Sequence, residues 1–515
     1  MQNNQIVKSG GKFQEDHAVS IDVLVAEIGS TTTVVNAFNG IRSHAQTPCL
    51  YGQGQAPTTV EEGDVRIGLQ NAIDDLCRKK GIAKNTQSGT YQIEYGELLA
   101  TSSAAGGLKM TVHGLVYDMT AKAAKEAALG AGAILHQITA GKLRRMDLQR
   151  IQEIQPNLIL LAGGVDHGEQ ETALANAEQI HGLQLNAPVI YAGNCDAREE
   201  IRSIFEQPQK RNGLQSGRQS AQPLYLVENV YPKIDQLNIE PCRRAIQQAF
   251  EMHITNAPGM EHIRDMVSGT IIPTPGAVME CTKLLHECLG NVLVLDVGGA
   301  TTDVHSVAEE SEKIARILTA PEPYAKRTVE GDLGVFVNRR HVMESLLKRG
   351  QYEMGEAQQL EGEALQKIGE RVGMTAKELS QQLVHCRKIP QTEQEIKLAE
   401  LLTEACVVQA IDRHAGKLRY IYGPTGRSTL AEGKDLTQVR YIIGTGGALT
   451  RLPQGEAILR RMLGSGGDAM RLFPEHDAEI LIDHDYIMAS LGVLAKHHRE
   501  AAIRLLEHSL RVPLI

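Results

Sequence analysis

Along most of the chain, runs of aliphatic and β-branched residues alternate with amphipathic stretches, and several of these runs end in glycine. Val23-Leu24-Val25-Ala26-Glu27-Ile28 reads as a buried strand that runs into Gly29-Ser30-Thr31-Thr32-Thr33. A second run, Val34 to Phe38, follows with no room for a helix, so the spacing predicts a hairpin around that loop. Residues 58–80 read as a helix with Thr59 as N-cap and Gly81 as its stop. From 97 to 252, strand candidates at 97–102, 109–117, 158–162, 188–191 and 224–227 alternate with helix candidates at 119–132, 143–154, 171–181, 196–205 and 240–252. Such alternation predicts a parallel sheet covered by helices. The stretch 207–222 has no apolar periodicity and reads as a solvated loop. In the second half, a helix is expected from Ala277 to Leu289. The strongest strand of the protein, Val292 to Val297, then enters Gly298-Gly299-Ala300-Thr301-Thr302-Asp303. Residues 334–420 are largely helical in pattern, Val439 to Ile443 leads into Gly444-Thr445-Gly446-Gly447-Ala448, and a last helix is expected over 486–500. The strand-then-glycine unit recurs at 23–33, 158–164, 292–303 and 439–448.

Composition narrows the partners. Apolar residues make up 42% of the 515, aromatics only 4%, and there is no Trp. Cores must be built from Leu, Ile, Val, Ala and Met, and aromatic platforms for single strands are not expected. A net charge of −9 argues against nucleic acid or an anionic membrane surface as partner. No run approaches the ~18 apolar residues of a membrane helix. The segment Met1 to Ser20 has no apolar stretch to act as a secretory signal and is expected to be a disordered tail. Eight scattered Cys without a C-x-x-C are the usage of a reduced protein. These features predict a cytoplasmic, multi-domain α/β protein.

The glycine loops carry the candidate chemistry. In Asp296-Val-Gly-Gly-Ala-Thr-Thr-Asp303 a buried strand delivers a carboxylate at its end. Glycines then let backbone N–H groups approach a phosphate, and Thr301 adds a hydroxyl. Asp296 and Asp303 are hard oxygen groups suited to holding Mg²⁺ through its waters. The loop Glu27-Ile-Gly-Ser-Thr-Thr32 repeats that design, so two strand ends could grip a phosphate tail from both sides. Ile443-Gly-Thr-Gly-Gly-Ala448 lacks a carboxylate and suits close backbone approach to a flat adenine–ribose unit. Neither a G-x-x-x-x-G-K-[ST] loop nor a G-x-G-x-x-G helix start accompanies them.

Together these loops resemble those of the actin/Hsp70/sugar-kinase ATPase superfamily. Gly446-Gly447-Ala448 with Arg451-Leu452-Pro453 is similar to an adenosine loop, and Ala489-Ser490-Leu491-Gly492 to the small-residue helix that returns between lobes. Within that superfamily, Ile28-Gly-Ser-Thr-Thr-Thr33, Ala100 to Leu108, Leu158 to Asp166 and Val329-Glu-Gly-Asp-Leu-Gly334 resemble the MutL/GlmL family. Its members are accessory proteins of adenosylcobalamin-dependent glutamate mutase and related aminomutases. The resemblance implies a two-lobed actin/Hsp70-like ATPase fold made of duplicated ribonuclease H-like lobes. The first lobe would be enlarged, and the second would carry a helical subdomain. It also implies ATP or ADP with Mg²⁺ as ligands and a mutase as partner. Ser30, Thr31 and Thr32, beside Gly29, would meet the phosphates from one lobe, and Gly298, Gly299, Ala300 and Thr301 from the other. Glu27, Asp296 and Asp303 would surround the metal waters, and Gly446, Gly447 and Ala448, after Gly444, would pack on adenosine.

The domain plan that follows is a first lobe over 21–270 with an α/β insertion, a second over 271–484, and a C-terminal helical segment, 485–515, returning to the first. Two positions depart from the superfamily. Glu27 stands where Asp is usual, and Thr274 stands where Hsp70-like members place a carboxylate beside the attacking water. Thr274 can orient water but cannot take its proton at neutral pH, which predicts slow hydrolysis, with Glu280 the next candidate base. Slow turnover suits a nucleotide-timed reactivating chaperone that releases damaged cobalamin. The rival readings are a small-molecule kinase on the same fold and a nucleotide-binding scaffold without turnover. Among weaker candidates, Asp485 reads as the N-cap of the last helix rather than as a metal ligand beside Glu475, His476, Asp477, Asp483 and His484. Cys281 and Cys288 read as buried thiols on one helical face, His497 and His498 as solvent-facing, and Leu158 to Asp166 as a strand end in the enlarged lobe.

Overall fold

Alternate residues of the first strand serve two different cores. In β1 (Ser20–Ile28), Leu24, Ala26 and Ile28 pack into one apolar cluster while Val23 and Val25 pack into another, as a strand covered on both faces requires. The computed structural model describes residues 20–514 apart from 30–31, 43–45, 60–63, 83–90, 92, 104–107, 132, 208–221, 255–259, 350–356, 388, 424–425 and 465–469. β1 pairs antiparallel with β2 (Thr32–Asn39), which pairs antiparallel with β3 (Cys49–Pro57). On its other side β1 pairs parallel with β4 (Glu94–Ser102). The chain then leaves to build an all-parallel sheet from β5 (Lys109–Gly114), β6 (Ile134–Ala140), β7 (Leu158–Leu161), β8 (Val189–Tyr191) and β9 (Leu224–Leu226), in the order β6-β5-β7-β8-β9. It returns as β10 (Ile272–Pro273), parallel to β4, so the first sheet runs β10-β4-β1-β2-β3.

The second lobe repeats that topology. β11 (Val292–Val297) and β12 (Thr302–Val307) form a hairpin extended by β13 (Ala325–Glu330). After a separate exposed hairpin of β14 (Lys417–Gly423) and β15 (Gly426–Glu432), β16 (Tyr441–Thr445) joins β11 in parallel and β17 (Glu479–Ile482) joins β16. The order β13-β12-β11-β16-β17 matches the first sheet strand for strand and sense for sense. The fold is therefore the duplicated, two-lobed actin-like α/β architecture. Between the sheets lies an apolar layer that mixes Val23, Val25 and Leu99 with Val292, Val294, Ile443 and three helices. Helix 488–494 crosses helix 274–289 closely, because a Cβ on Gly492 would strike the Ala277 carbonyl.

Several elements differ from the sequence expectation, each for a physical reason. Strand β3 is absent from the sequence expectation because it alternates glycine with polar residues; a Cβ at Gly54 would strike the Ala72 carbonyl and Leu76 of α1 (Val65–Lys80). Helix α1 starts at Val65 with Asp64 capping Arg66 N–H, and Thr59 instead accepts from Gly68 N–H (2.9 Å). The stop at Gly81 is left-handed, φ +67°. β6, whose residues are only half-buried, was not anticipated, nor was a helix over 260–266. The region 486–500 is split into helices 488–494 and 499–510. His498 is not free in solvent, since its Nε2 lies 2.8 Å from Glu97 Oε2. Most of the 207–222 stretch lies outside the described residues. No helix among the described residues is long and apolar enough to cross a membrane.

Candidate functional site

Each lobe begins with the same turn. Gly29 N–H donates to Thr32 O (3.0 Å) between β1 and β2, and Gly298 N–H donates to Thr301 O (2.9 Å) between β11 and β12. A Cβ at Gly29 would lie 2.5 Å from Thr32 O, so the first turn can close only on glycine. Ser30 and Thr31 lie outside the described residues; Thr32 is exposed at the hairpin tip. The second turn is supported by the loop after β13: Phe336 and Val337 N–H donate to Gly299 O (2.9 and 2.8 Å), and Asn338 Nδ2 donates to Ala300 O (2.9 Å). Gly299 itself is exposed.

A carboxylate precedes each turn. Glu27, on β1, accepts from Ser490 Oγ (2.5 Å) and Asn36 Nδ2 (3.3 Å), and burial pushes its carboxyl up to about 7 despite these donors. Asp296, on β11, is likewise pushed up to about 7, first by burial and then by Asp303 and by Glu27 itself. Burial is the first cause at both carboxyls, and raised carboxyl pKa values of this kind are a mark of candidate functional sites. Asp303 differs. It is buried, and Arg327 Nε and Nη2 both donate to its Oδ1 (2.9 and 2.5 Å), while Thr301 Oγ1 donates to Oδ2 (3.2 Å). The cation beside Asp303 is therefore a side chain that the sequence pattern did not single out.

The third loop lies directly against Asp296. Gly446 adopts φ +83°, and a Cβ there would sit 2.5 Å from Asp296 Oδ1 and from Val297 O. Gly447 faces open space, and Ala448 packs against the second-lobe core. Gly444 lies inside β16, where Ile482, Leu459 and Leu449 fill the place of a side chain; its role is packing, not the loop. Thr445, opposite Asp296 in register, donates to Asp483 Oδ2 (2.9 Å). Asp483 also accepts from Ser509 Oγ (2.6 Å) and from Ile487 and Met488 N–H (2.9 and 3.0 Å). Asp483, not Asp485, therefore caps the returning helix. The Thr274 hydroxyl donates to Thr101 Oγ1 (3.1 Å), and Thr101 pairs with Glu27 in the β1–β4 register. Glu280 pairs with Lys283 (3.3 Å).

A polar chain ties the lobes beside these turns. Arg451 Nη2 donates to Gln53 Oε1 (2.5 Å), Gln53 Nε2 to Asn36 Oδ1 (2.8 Å), and Asn36 Nδ2 to Ser490 Oγ (2.8 Å). Arg451 also lies 5.8 Å over the ring of Tyr486, whose hydroxyl is held un-ionised by burial and by the nearby Glu27 and Asp296. Asn36 could have been noticed as the lone amide in the apolar run 34–38; Gln53 and Tyr486 carry no such signal.

The MutL protein family model matches residues 23–510 of the chain. Protein MutL of Clostridium tetanomorphum is 34% identical over 495 residues, which cover 94% of this chain and 98% of that protein. Among solved structures, nucleotide-free acetone carboxylase is 12% identical with a TM-score of 0.41, covering 92% of this chain and 70% of its own. Diol dehydratase-reactivating factor in nucleotide-free form is 10% identical with a TM-score of 0.32, covering 93% and 99%.

Proposed function

Because the chain belongs to the MutL protein family, we propose that it is an ATP-dependent reactivating accessory protein for an adenosylcobalamin-dependent aminomutase, glutamate mutase or a relative. In this reading an adenine nucleotide with Mg²⁺ binds in the cleft between lobes. The observation that carries the nucleotide part is the repeated glycine turn, each copy following a carboxylate whose pKa is pushed up to about 7. In this reading Gly29, Ser30, Thr31 and Thr32 supply phosphate donors from one lobe, and Gly298, Gly299, Ala300 and Thr301 supply them from the other. Glu27 and Asp296 hold the metal waters, while Asp303 answers to Arg327. Gly446, Gly447 and Ala448 pack on adenosine. The bound metal would supply positive charge where the phosphates separate. Thr274 orients water without accepting its proton, which keeps hydrolysis slow and lets occupancy time the lobe arrangement. A kinase would need an acidic base at that place, and Glu280 is engaged with Lys283.

The test has two parts. Mg·ATP or Mg·ADP at a hundredfold excess over Kd should stabilise the protein by about 2.7 kcal/mol, GTP less; no thermal shift with any adenine nucleotide would remove the cleft assignment. Mutase inactivated by turnover should regain activity with this protein, ATP and fresh adenosylcobalamin. Nucleotide binding without that recovery would leave a binding protein and refute the reactivase.

A further inference from the structure

The inserted sheet β6-β5-β7-β8-β9 is wholly parallel, and the loops that leave the C-terminal ends of β7, β8 and β9 meet above it. That edge of an open parallel sheet is where ligands collect. Here it gathers a mixed donor set far from the glycine turns in sequence. His167 Nδ1 lies 3.1 Å from both carboxylate oxygens of Asp196, and Cys195 Sγ lies 3.7 Å from Asp196 Oδ1. One ligand atom from each of the three residues lies within 4.8 Å of the others. A tetrahedral ion with bonds of ~2.0–2.3 Å needs donor atoms roughly 3.3–3.8 Å apart. Two of the separations present, 3.1 Å from His167 Nδ1 and 3.7 Å from Cys195 Sγ to Asp196 Oδ1, lie at or near that spacing.

The frame beneath the donors is buried and fully knit. Asn194 Oδ1 accepts from the N–H of His167 (3.1 Å) and of Asp196 (3.0 Å), and its Nδ2 donates to Gly168 O (3.0 Å). Asp166 Oδ1 accepts from Cys195 N–H (2.9 Å) and from Asn229 Nδ2 (3.0 Å). Asn194 and Asn229 are both buried, so the three loops are fixed relative to one another. His167 adopts φ +62°, in the left-handed region that histidine visits more readily than most side chains. Among the described residues the ion-pair partner of Asp196 is the imidazole of His167, and both side chains are open to solvent, so an ion can enter.

We propose that His167 Nδ1, Cys195 Sγ and the Asp196 carboxylate bind one borderline divalent transition metal, Zn²⁺ or Co²⁺, with a fourth position open to water or an incoming ligand atom. Imidazole nitrogen and thiolate sulfur select such ions over Mg²⁺ and Ca²⁺, which prefer oxygen alone. On binding, the metal loses water, the Cys195 thiol gives its proton to solvent, and the thiolate takes the vacated position. This site is independent of the nucleotide reading.

The experiment titrates the full-length, chelator-stripped, reduced protein with CoCl₂ in the absence of nucleotide. One equivalent should give intense tetrahedral d–d bands and a near-ultraviolet thiolate-to-cobalt charge-transfer band, both displaced by Zn²⁺. Cys195→Ser should abolish the charge-transfer band, and His167→Ala and Asp196→Asn should each weaken Co²⁺ at least about tenfold. His167 and Asp196 are exposed, so those two variants keep the fold and carry the test if Cys195→Ser does not. A weak octahedral-type spectrum, a charge-transfer band that survives in Cys195→Ser, or unchanged affinity in His167→Ala would overturn the site.

Discussion

Glu27 and Asp296 are both held with carboxyl pKa values near 7, against 4.5 and 3.8 for the free groups. A raised carboxyl pKa means that the folded state binds protons more tightly than the unfolded one. The resulting stabilisation is complete below about pH 4 and is lost as pH rises through 7. The nucleotide-free protein is therefore expected to grow less stable between pH 5 and pH 8. Glu27→Gln keeps an acceptor for Ser490 and removes the buried charge. It should stabilise the nucleotide-free protein at pH 8 by on the order of 2 kcal/mol, with little effect at pH 5. Urea unfolding at both pH values checks this; equal effects would mean that Glu27 is not the titrating group. The same variant should weaken Mg·nucleotide binding. At this scale the carboxylates were legible because each ends an apolar strand just before glycine. Arg327 was not: it sits in the middle of β13, and only the fold brings its guanidinium to Asp303, 24 positions away.

The hairpin is the element in which sequence and proposed site coincide, since the residues that close the turn are also those that the proposed function offers to a phosphate. At Gly299 the nearest atom to an added Cβ is Phe336 Cβ at 3.5 Å, an ordinary contact. Gly299→Val should therefore fold normally and lose at least tenfold in nucleotide affinity, about 1.4 kcal/mol, because its branched side chain covers the exposed amide edge. Isothermal titration with ADP measures it, and unchanged affinity would reduce the loop to a plain turn. Gly446 behaves differently. An alanine there meets both a positive φ and the Asp296 carboxylate, so Gly446→Ala should cost about 2–4 kcal/mol of stability as well as binding. The elements that stayed hidden share one cause. β3 uses glycine to let α1 approach and β6 lies at a sheet edge, so neither carries the period-two apolar signal from which β1 and β11 could be read. The duplication of the two sheets was legible only in part: the strand-then-glycine unit recurs at 23–33 and 292–303, but the shared strand order and sense are topological and leave no longer repeat in the residues.

At the scale of the molecule, Arg327 links Asp303, beside the second glycine turn, to the contact between lobes. Two of its nitrogens hold Asp303, and its Nη1 donates to Leu129 O (2.8 Å) at the end of the first-lobe helix 122–130. Beside it, Lys122 on that helix meets Glu322 Oε1 (2.5 Å), and Lys326 meets Glu322 Oε2 (2.7 Å). Burial alone would raise the Glu322 carboxyl, but Lys326 and Lys122 outweigh it and hold it below the usual range. That contribution is present above about pH 4.5 and is lost as pH falls through the lowered value, so the lobe contact should weaken in acid. A cation that drew on Asp303 from the cleft would compete with Arg327, and any loosening of Arg327 frees the Leu129 carbonyl. Arg327→Lys keeps the charge but cannot reach both partners, and should cost about 2–3 kcal/mol. Hydrogen exchange should accelerate in residues 122–130 of this variant. In the wild-type protein Mg·nucleotide should change exchange in that same helix, and in Arg327→Lys that response should shrink. If exchange in 122–130 ignores both the substitution and the nucleotide, then Arg327 is a buried ion-pair partner of Asp303 and carries nothing between the lobes.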